Sequence, residues 1–243
     1  MCGRYASAMS TPTLLETFSA VDDTAGAVEE SYNVAPTDPV PVVLVRRNKE
    51  TDEDVRLLRV FRWGLVPSWA KDLSVGARMI NARLETLTTK PAFRKAIQAR
   101  RCIVPADGYY EWLPPEEPRG KKLPVYIHRA DGGALAMAGI YEVWSDAAGN
   151  RVWSTSVITT DAVDELGHIH DRSPVLLEPD MWAAWLDPHR TDPEPLLAAL
   201  GPPPAGLLSA HRVSTAVNDV RNDGPQLREP IDPAAEDPQP TLL

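Results

Sequence analysis

Hydrophobic and polar positions alternate in short stretches, and few segments keep a helical period. Residues 40–46 (VPVVLVR) are apolar and β-branched, residues 47–54 (RNKETDED) are polar, and residues 55–63 (VRLLRVFRW) turn apolar again. That pattern predicts two strands joined by a hairpin tip. Residues 31–36 read as extended, and further strands are predicted at 101–105, 108–112, 123–129, 133–144 and 151–160, with the Pro- and charge-rich 114–122 as a turn. The 3.6-residue period surfaces briefly. It predicts helices at 12–20 (Leu14, Leu15 and Phe18 inward), 91–99, 161–171, 178–187 (Trp182 and Trp185 on one face) and 194–200. Thr11 is the expected N-cap of the first helix, with Pro12 at its first position. Residues 64–77 read as a loop. Many short strands with irregularly inserted helices predict an α+β domain over residues 1–228: a mostly antiparallel, barrel-like twisted β-sheet with peripheral short helices. The Pro- and acid-rich residues 229–243 predict a disordered tail.

Composition narrows the picture little. Hydrophobic residues make up 43% and charged residues 24%, both ordinary for a globular chain. No apolar run approaches the roughly 18 residues of a membrane helix, and the N-terminus lacks a basic-then-apolar leader pattern. The protein is therefore expected in the cytoplasm, monomeric and without membrane contact. Two cysteines, Cys2 and Cys102, cannot build a disulfide framework or a tetrahedral metal site by themselves. His168 and His170 have no third ligand beside them, so neither metal nor cofactor is expected.

Charge matters through its distribution. A net charge of −9 argues against a nucleic-acid partner. Residues 1–128, however, carry 18 basic and 16 acidic side chains, whereas residues 129–243 carry 7 and 18. Within 78–101, seven bases (Arg78, Arg83, Lys90, Arg94, Lys95, Arg100, Arg101) face Glu85 alone. Because exposed charges beyond about 10 Å are screened at 0.1 M salt, a local patch suffices for phosphate contacts. A solvated basic helix face explains the same residues.

The candidate chemistry begins at Met1-Cys2-Gly3-Arg4. Loss of Met1 would leave Cys2 with an α-amine and a thiol. The amine has an ordinary pKa of about 7.7–8.0, so roughly a tenth of it is neutral at pH 7, far more than of a lysine. It can attack an aldehyde, and the thiol can close a five-membered ring on the resulting imine. Position alone is equally served by an ordinary residue after the start codon. In residues 80–86 (INARLET), Asn81 and Arg83 would share a face if extended, and arginine suits phosphate. In residues 106–112 (ADGYYEW), Glu111 stands among aromatics, where burial raises a carboxyl pKa and suits proton transfer; a solvent-facing glutamate is the alternative. His170 precedes a polar turn and is a natural proton shuttle. Of two tryptophans on residues 62–70 (RWGLVPSWA), Trp69 is assigned to ligand stacking and Trp63 to packing.

In order, MCGRYA at 1–6, YNVAPT at 32–37, RWGLVPSWA at 62–70, INARLET at 80–86, ADGYYEW at 106–112, HDRSPVLL at 170–177 and VNDVRNDGPQL at 217–227 resemble the SOS response-associated peptidase (SRAP) family over nearly the whole chain. The resemblance implies a groove for single-stranded DNA, loss of Met1 by self-cleavage or otherwise, and a Cys2 thiazolidine crosslink to abasic sites that shields them. It implies Cys2 as nucleophile, Asn81 near the reacting centre, Glu111 and His170 in proton transfer, and Arg4 and Arg83 on DNA phosphates. His170 matches because it directly precedes Asp-Arg-x-Pro. Ser173 departs from the pattern, since many relatives carry Met there. Replication-fork proteins are expected partners, with association to the nucleoid when DNA-bound. Two other readings compete: an N-terminal-nucleophile cysteine peptidase or amidohydrolase, and a non-covalent DNA reader built on the basic patch and Trp69.

Overall fold

The computed structural model describes residues 3–114, 122–162 and 168–231. Cys2 and most of the expected tail, residues 232–243, lie outside the described residues.

Thirteen strands form among the described residues: β1 (Arg4–Ser7), β2 (Val21–Asp22), β3 (Ser31–Val34), β4 (Pro39–Arg47), β5 (Asp54–Trp63), β6 (Asn81–Arg83), β7 (Arg101–Ala106), β8 (Gly108–Leu113), β9 (Leu123–Arg129), β10 (Leu135–Ser145), β11 (Arg151–Asp161), β12 (Arg172–Pro174) and β13 (Leu208–Arg212). Strands β4, β5, β11, β10 and β7 follow one another around a closed barrel, which shuts where β11 runs parallel to β5, Ser154 opposite Arg62. A second sheet, in order β13-β9-β8-β1-β3, is antiparallel throughout.

Strand alternation sorts the core. Val40, Val42, Phe61, Cys102 and Val104 point into the barrel and merge with Tyr5, Tyr109, Val125 and Ile127 from one face of the second sheet. Tyr5 meets Trp63 edge-on, with ring centroids 4.9 Å apart. The opposite parity, Val43, Leu58, Ile103 and Ile140, packs outside the barrel under the helices α1 (Thr11–Phe18) and α3 (Pro179–Leu186), with Phe18 and Trp185. The segment 213–227 covers the other face of the second sheet with Val213, Val217 and Leu227.

Several predicted boundaries move. Ser10, not Thr11, caps α1: its hydroxyl accepts the Thr13 amide N–H, and Thr11 is already helical. The predicted helix 91–99 shrinks to α2 (Ala96–Ala99), because the preceding residues coil as turns, with Phe93 N–H bonded to the Lys90 carbonyl three residues back. Asp161 ends β11 instead of opening a helix, and residues 168–170 are a turn; residues 163–167 of that predicted helix lie outside the described residues. The predicted helix 194–200 is the single turn α4 (Glu194–Ala198). At the start of the expected tail, the Ile231 amide donates to the Arg212 carbonyl (3.0 Å).

The loop after β5 depends on two glycines. Gly64 adopts φ +120°, and a Cβ built on it would stand 2.5 Å from the Gly76 carbonyl oxygen. A Gly64→Ala variant therefore combines backbone strain with a backbone clash. It is expected to lose about 2–4 kcal/mol, read as a lower urea midpoint at unchanged m-value.

Candidate active site

Strand register positions the start of the chain. Arg4 lies opposite Tyr110 and Ala6 opposite Gly108, which brings Gly3 level with Glu111. Cys2 is bonded to Gly3, and consecutive Cα atoms are about 3.8 Å apart.

Glu111 is 3% exposed, on the face of β8 that joins the core. Burial pushes its carboxyl above the ordinary range, and the Asp171 charge adds to the rise against a smaller opposite pull from Lys122. Glu111 and His170 line one cleft with Tyr109, Ile127, Ile169 and Ser173; its volume, about 10 Å³, is that of a single water.

His170 is held by its neighbour. The Arg172 amide N–H donates to His170 Nδ1 (3.0 Å), so Nδ1 is the acceptor and the neutral ring carries its proton on Nε2. Asp171 Oδ1 also lies 2.7 Å from Nδ1, a contact that becomes a hydrogen bond only with a proton on Nδ1. Asp171 is 86% exposed, so the backbone donor governs at neutral pH. Burial lowers the His170 pKa and outweighs the opposing Asp171 charge, which favours the same neutral form.

Arg172 was absent from the sequence-predicted set although it stands in the same HDRSP run. Its guanidinium is buried (8% exposed) and donates to Glu85 (2.9 Å), to Asp161 and to the Thr159 carbonyl (2.7 Å). It thus ties the His170 turn to the segment that follows Asn81 and Arg83. An Arg172→Ala variant is expected to lose about 3 kcal/mol in a denaturant titration, since a buried cation with its bonds is removed at once.

Asn81 and Arg83 flank the buried Ala82 on β6 and share a face, as predicted. Asn81 lies half-buried opposite Val157, and the neighbouring Ile80 carbonyl accepts the Trp63 indole N–H (3.0 Å). Arg83 is exposed. Arg4 is half-buried; its guanidinium donates to Asn33 Oδ1 (2.7 Å) and to the Val217 carbonyl (2.9 Å), clasping the C-terminal segment. Trp69 is 63% exposed and Trp63 is fully buried. The adjoining Ala70 carbonyl accepts the Trp144 indole N–H (2.8 Å), which anchors the Trp69 loop to β10.

The basic stretch is smaller than its sequence suggests. Arg101 is buried and donates to the carbonyls of Ile97, Gln98, Trp185 and Asp187, and Arg100 pairs with Glu142 (2.8 Å). Arg78, Arg83, Lys90, Arg94 and Lys95 remain exposed.

A cavity of about 570 Å³, lined by Tyr126, His128, His211 and Arg228 on the face of the second sheet opposite Glu111, holds none of the predicted site residues. Of the predicted site residues, Glu111 and His170 line the small cleft.

The class is therefore an α+β barrel protein whose first strand brings Gly3 level with a buried carboxylate, Glu111, in a cleft shared with the His170 imidazole. The model for the SOS response associated peptidase (SRAP) family matches residues 1–220, and the chain belongs to that family. It is 39% identical over 233 residues to the abasic site processing protein YoqW of Bacillus subtilis (strain 168), covering 94% of this chain and 99% of the relative. It is 33% identical over 233 residues to the abasic site processing protein HMCES of Gallus gallus, covering 85% of this chain and 68% of that one. A solved Bacteroides thetaiotaomicron protein shares the fold at a TM-score of 0.78 and 24% identity, over 95% of this chain and all of that one. A Bordetella bronchiseptica structure aligns at a TM-score of 0.71 and 27% identity, over 88% of this chain and 100% of its own.

Proposed function

We propose that this protein processes abasic sites in single-stranded DNA by covalent capture, with Cys2 as nucleophile once Met1 is lost. The observation that carries the reading is the register placing Gly3 level with Glu111, in the cleft shared with His170. Relatives named as abasic site processing proteins support the substrate.

The chemistry follows from the groups present. The abasic sugar opens to its aldehyde, with His170 moving the ring proton. The Cys2 amine adds to C1′, and water leaves as Glu111 supplies a proton, giving an imine. The thiol then adds to the imine carbon and its proton passes to nitrogen, closing a thiazolidine without any oxidant. Asn81 orients the reacting sugar by hydrogen bonding. Arg83 and Arg4 hold phosphates, and exposed Trp69 stacks on an unpaired base. The working unit is residues 1–228, a monomer acting on DNA in the cytoplasm and drawn to replication forks. Self-cleavage removes Met1 in a single turnover.

A denaturing gel tests this. Protein shown by mass to lack Met1 is incubated with single-stranded DNA bearing one abasic site and, in parallel, with intact DNA. A heat-stable shifted band with the abasic strand alone is expected. A band with neither strand, together with multiple turnovers of a peptide substrate, would move the assignment to a cysteine peptidase.

A further inference from the structure

The inner face of the second sheet continues past Glu111. Glu111 is directly opposite Val125 on β9, and Val125 is directly opposite Arg212 on β13. Paired residues of an antiparallel sheet share a face, so these three form one row, with Arg212 about 10 Å from Glu111, or two strand spacings. A groove of about 440 Å³ runs along this row, floored by Leu113, Val125, Leu208 and Ala210, with Arg212 in its lining. Ile169 lines both the groove and the Glu111–His170 cleft, so the two are continuous.

Arg212 is unusual among the arginines. Its Nε is buried without a hydrogen-bond acceptor, and the side chain makes no hydrogen bond or ion pair among the described residues. Arg59, Arg62, Arg100 and Arg172 also hold one bare buried nitrogen, but each bonds an oxygen through another. A buried donor without an acceptor is costly and rare. A part-exposed guanidinium whose Nε is left in that state beside an apolar groove suits an anion with an apolar neighbour.

We infer that Arg212 and this groove form the subsite for the nucleotide flanking the lesion, with the phosphate on Arg212 and the base on the apolar floor. The inference rests on the proposed capture of abasic DNA and assigns one contact within it. The guanidinium fork matches a phosphate's paired oxygens, and the aliphatic floor accepts any base, which requires no sequence preference.

The test uses the full chain and abasic single strands in which either linkage flanking the lesion is a neutral methylphosphonate. Crosslinking rates at subsaturating DNA, and noncovalent binding by fluorescence anisotropy, are followed against salt for the parent, Arg212→Gln and Arg212→Lys. Arg212→Gln is expected to lower both about tenfold, to reduce the salt slope by about one, and to leave the saturated crosslinking rate unchanged. Arg212→Lys is expected to keep the slope. One methylphosphonate position should impose the same loss on the parent and none on Arg212→Gln, the coupling expected of a direct contact. A base-free tetrahydrofuran unit at that flanking position should weaken parent binding. An unchanged slope in Arg212→Gln, or equal losses in both proteins at both linkages, overturns the subsite. Absence of any adduct from the parent sinks covalent capture alone, because anisotropy still reads the phosphate coupling.

Discussion

A Cys2→Ala variant is expected to form no heat-stable adduct with abasic single-stranded DNA, a loss on the order of 100-fold or more against the parent. Self-cleavage is lost with the thiol, but variant protein freed of Met1 by an aminopeptidase, and shown by mass to lack it, keeps an α-amine and can still form an imine. That imine hydrolyses in the denaturing gel, because no thiol closes the ring. The two steps are therefore separable: borohydride added during incubation should trap the imine and restore a band with Cys2→Ala. The fold does not depend on Cys2, since β1 begins at Arg4 and its register is set by Tyr109, Tyr110 and Gly108. Noncovalent binding and the urea midpoint should consequently match the parent. A full-strength, heat-stable band from Cys2→Ala without borohydride would exclude the thiol and transfer the role to another nucleophile. Cys102 is a poor replacement: it is fully buried, and burial pushes its thiol up to about 12, where thiolate is scarce at neutral pH.

Much of this arrangement was legible from residue order. The apolar, β-branched runs at 40–46 and 55–63 predicted the β4–β5 hairpin within a residue at either end, because the segment between them is uniformly polar. Glu111 and His170 carried signals in their neighbours: aromatic residues on one strand, a polar turn on the other. What was not legible depends on pairing between distant segments. Residues 4–7 and 172–174 are too short and too mixed to announce strands, yet they dock on β8 and β11 and so define the cleft. The basic count in 78–101 overstated the surface patch because charge alone does not reveal that Arg101 points at four carbonyls. Arg172 was passed over for the same reason: its partners Glu85 and Asp161 are remote in sequence. Arg212 stands next to Val213 in an unremarkable run, and only the cross-strand row through Val125 relates it to Glu111.

The second large effect is expected at Glu111. A Glu111→Gln variant should form adduct about 100- to 10,000-fold more slowly, the range spanned by loss of a positioned proton-transfer group. Glutamine preserves size and hydrogen-bonding shape in the cleft, so the loss reports proton transfer more than packing. The sign of the pH dependence follows from burial. Desolvation disfavours the carboxylate, so the folded pKa of Glu111 lies above its ordinary value. As pH falls through that raised value the protonated form accumulates, and proton delivery to the departing water improves. As pH falls further, the Cys2 amine is almost wholly protonated and attack slows. The parent rate should therefore pass through a maximum between the Glu111 pKa and that of the amine, about 7.7–8.0 in an ordinary chain terminus. In Glu111→Gln the acidic limb loses its Glu111 inflection and only the amine ionisation remains. The same burial affects stability with a definite sign. The folded state holds the Glu111 proton more tightly than the unfolded chain, so this group favours folding below its unfolded pKa, and its contribution falls as pH rises through the folded one. Glu111→Gln should accordingly raise the urea midpoint above the folded Glu111 pKa, where the parent buries a charge, while it lowers the rate. A variant slower by this amount yet less stable in that range would mean that Glu111 acts in the cleft through bonds to its carboxylate, and the role of proton donor would pass to His170.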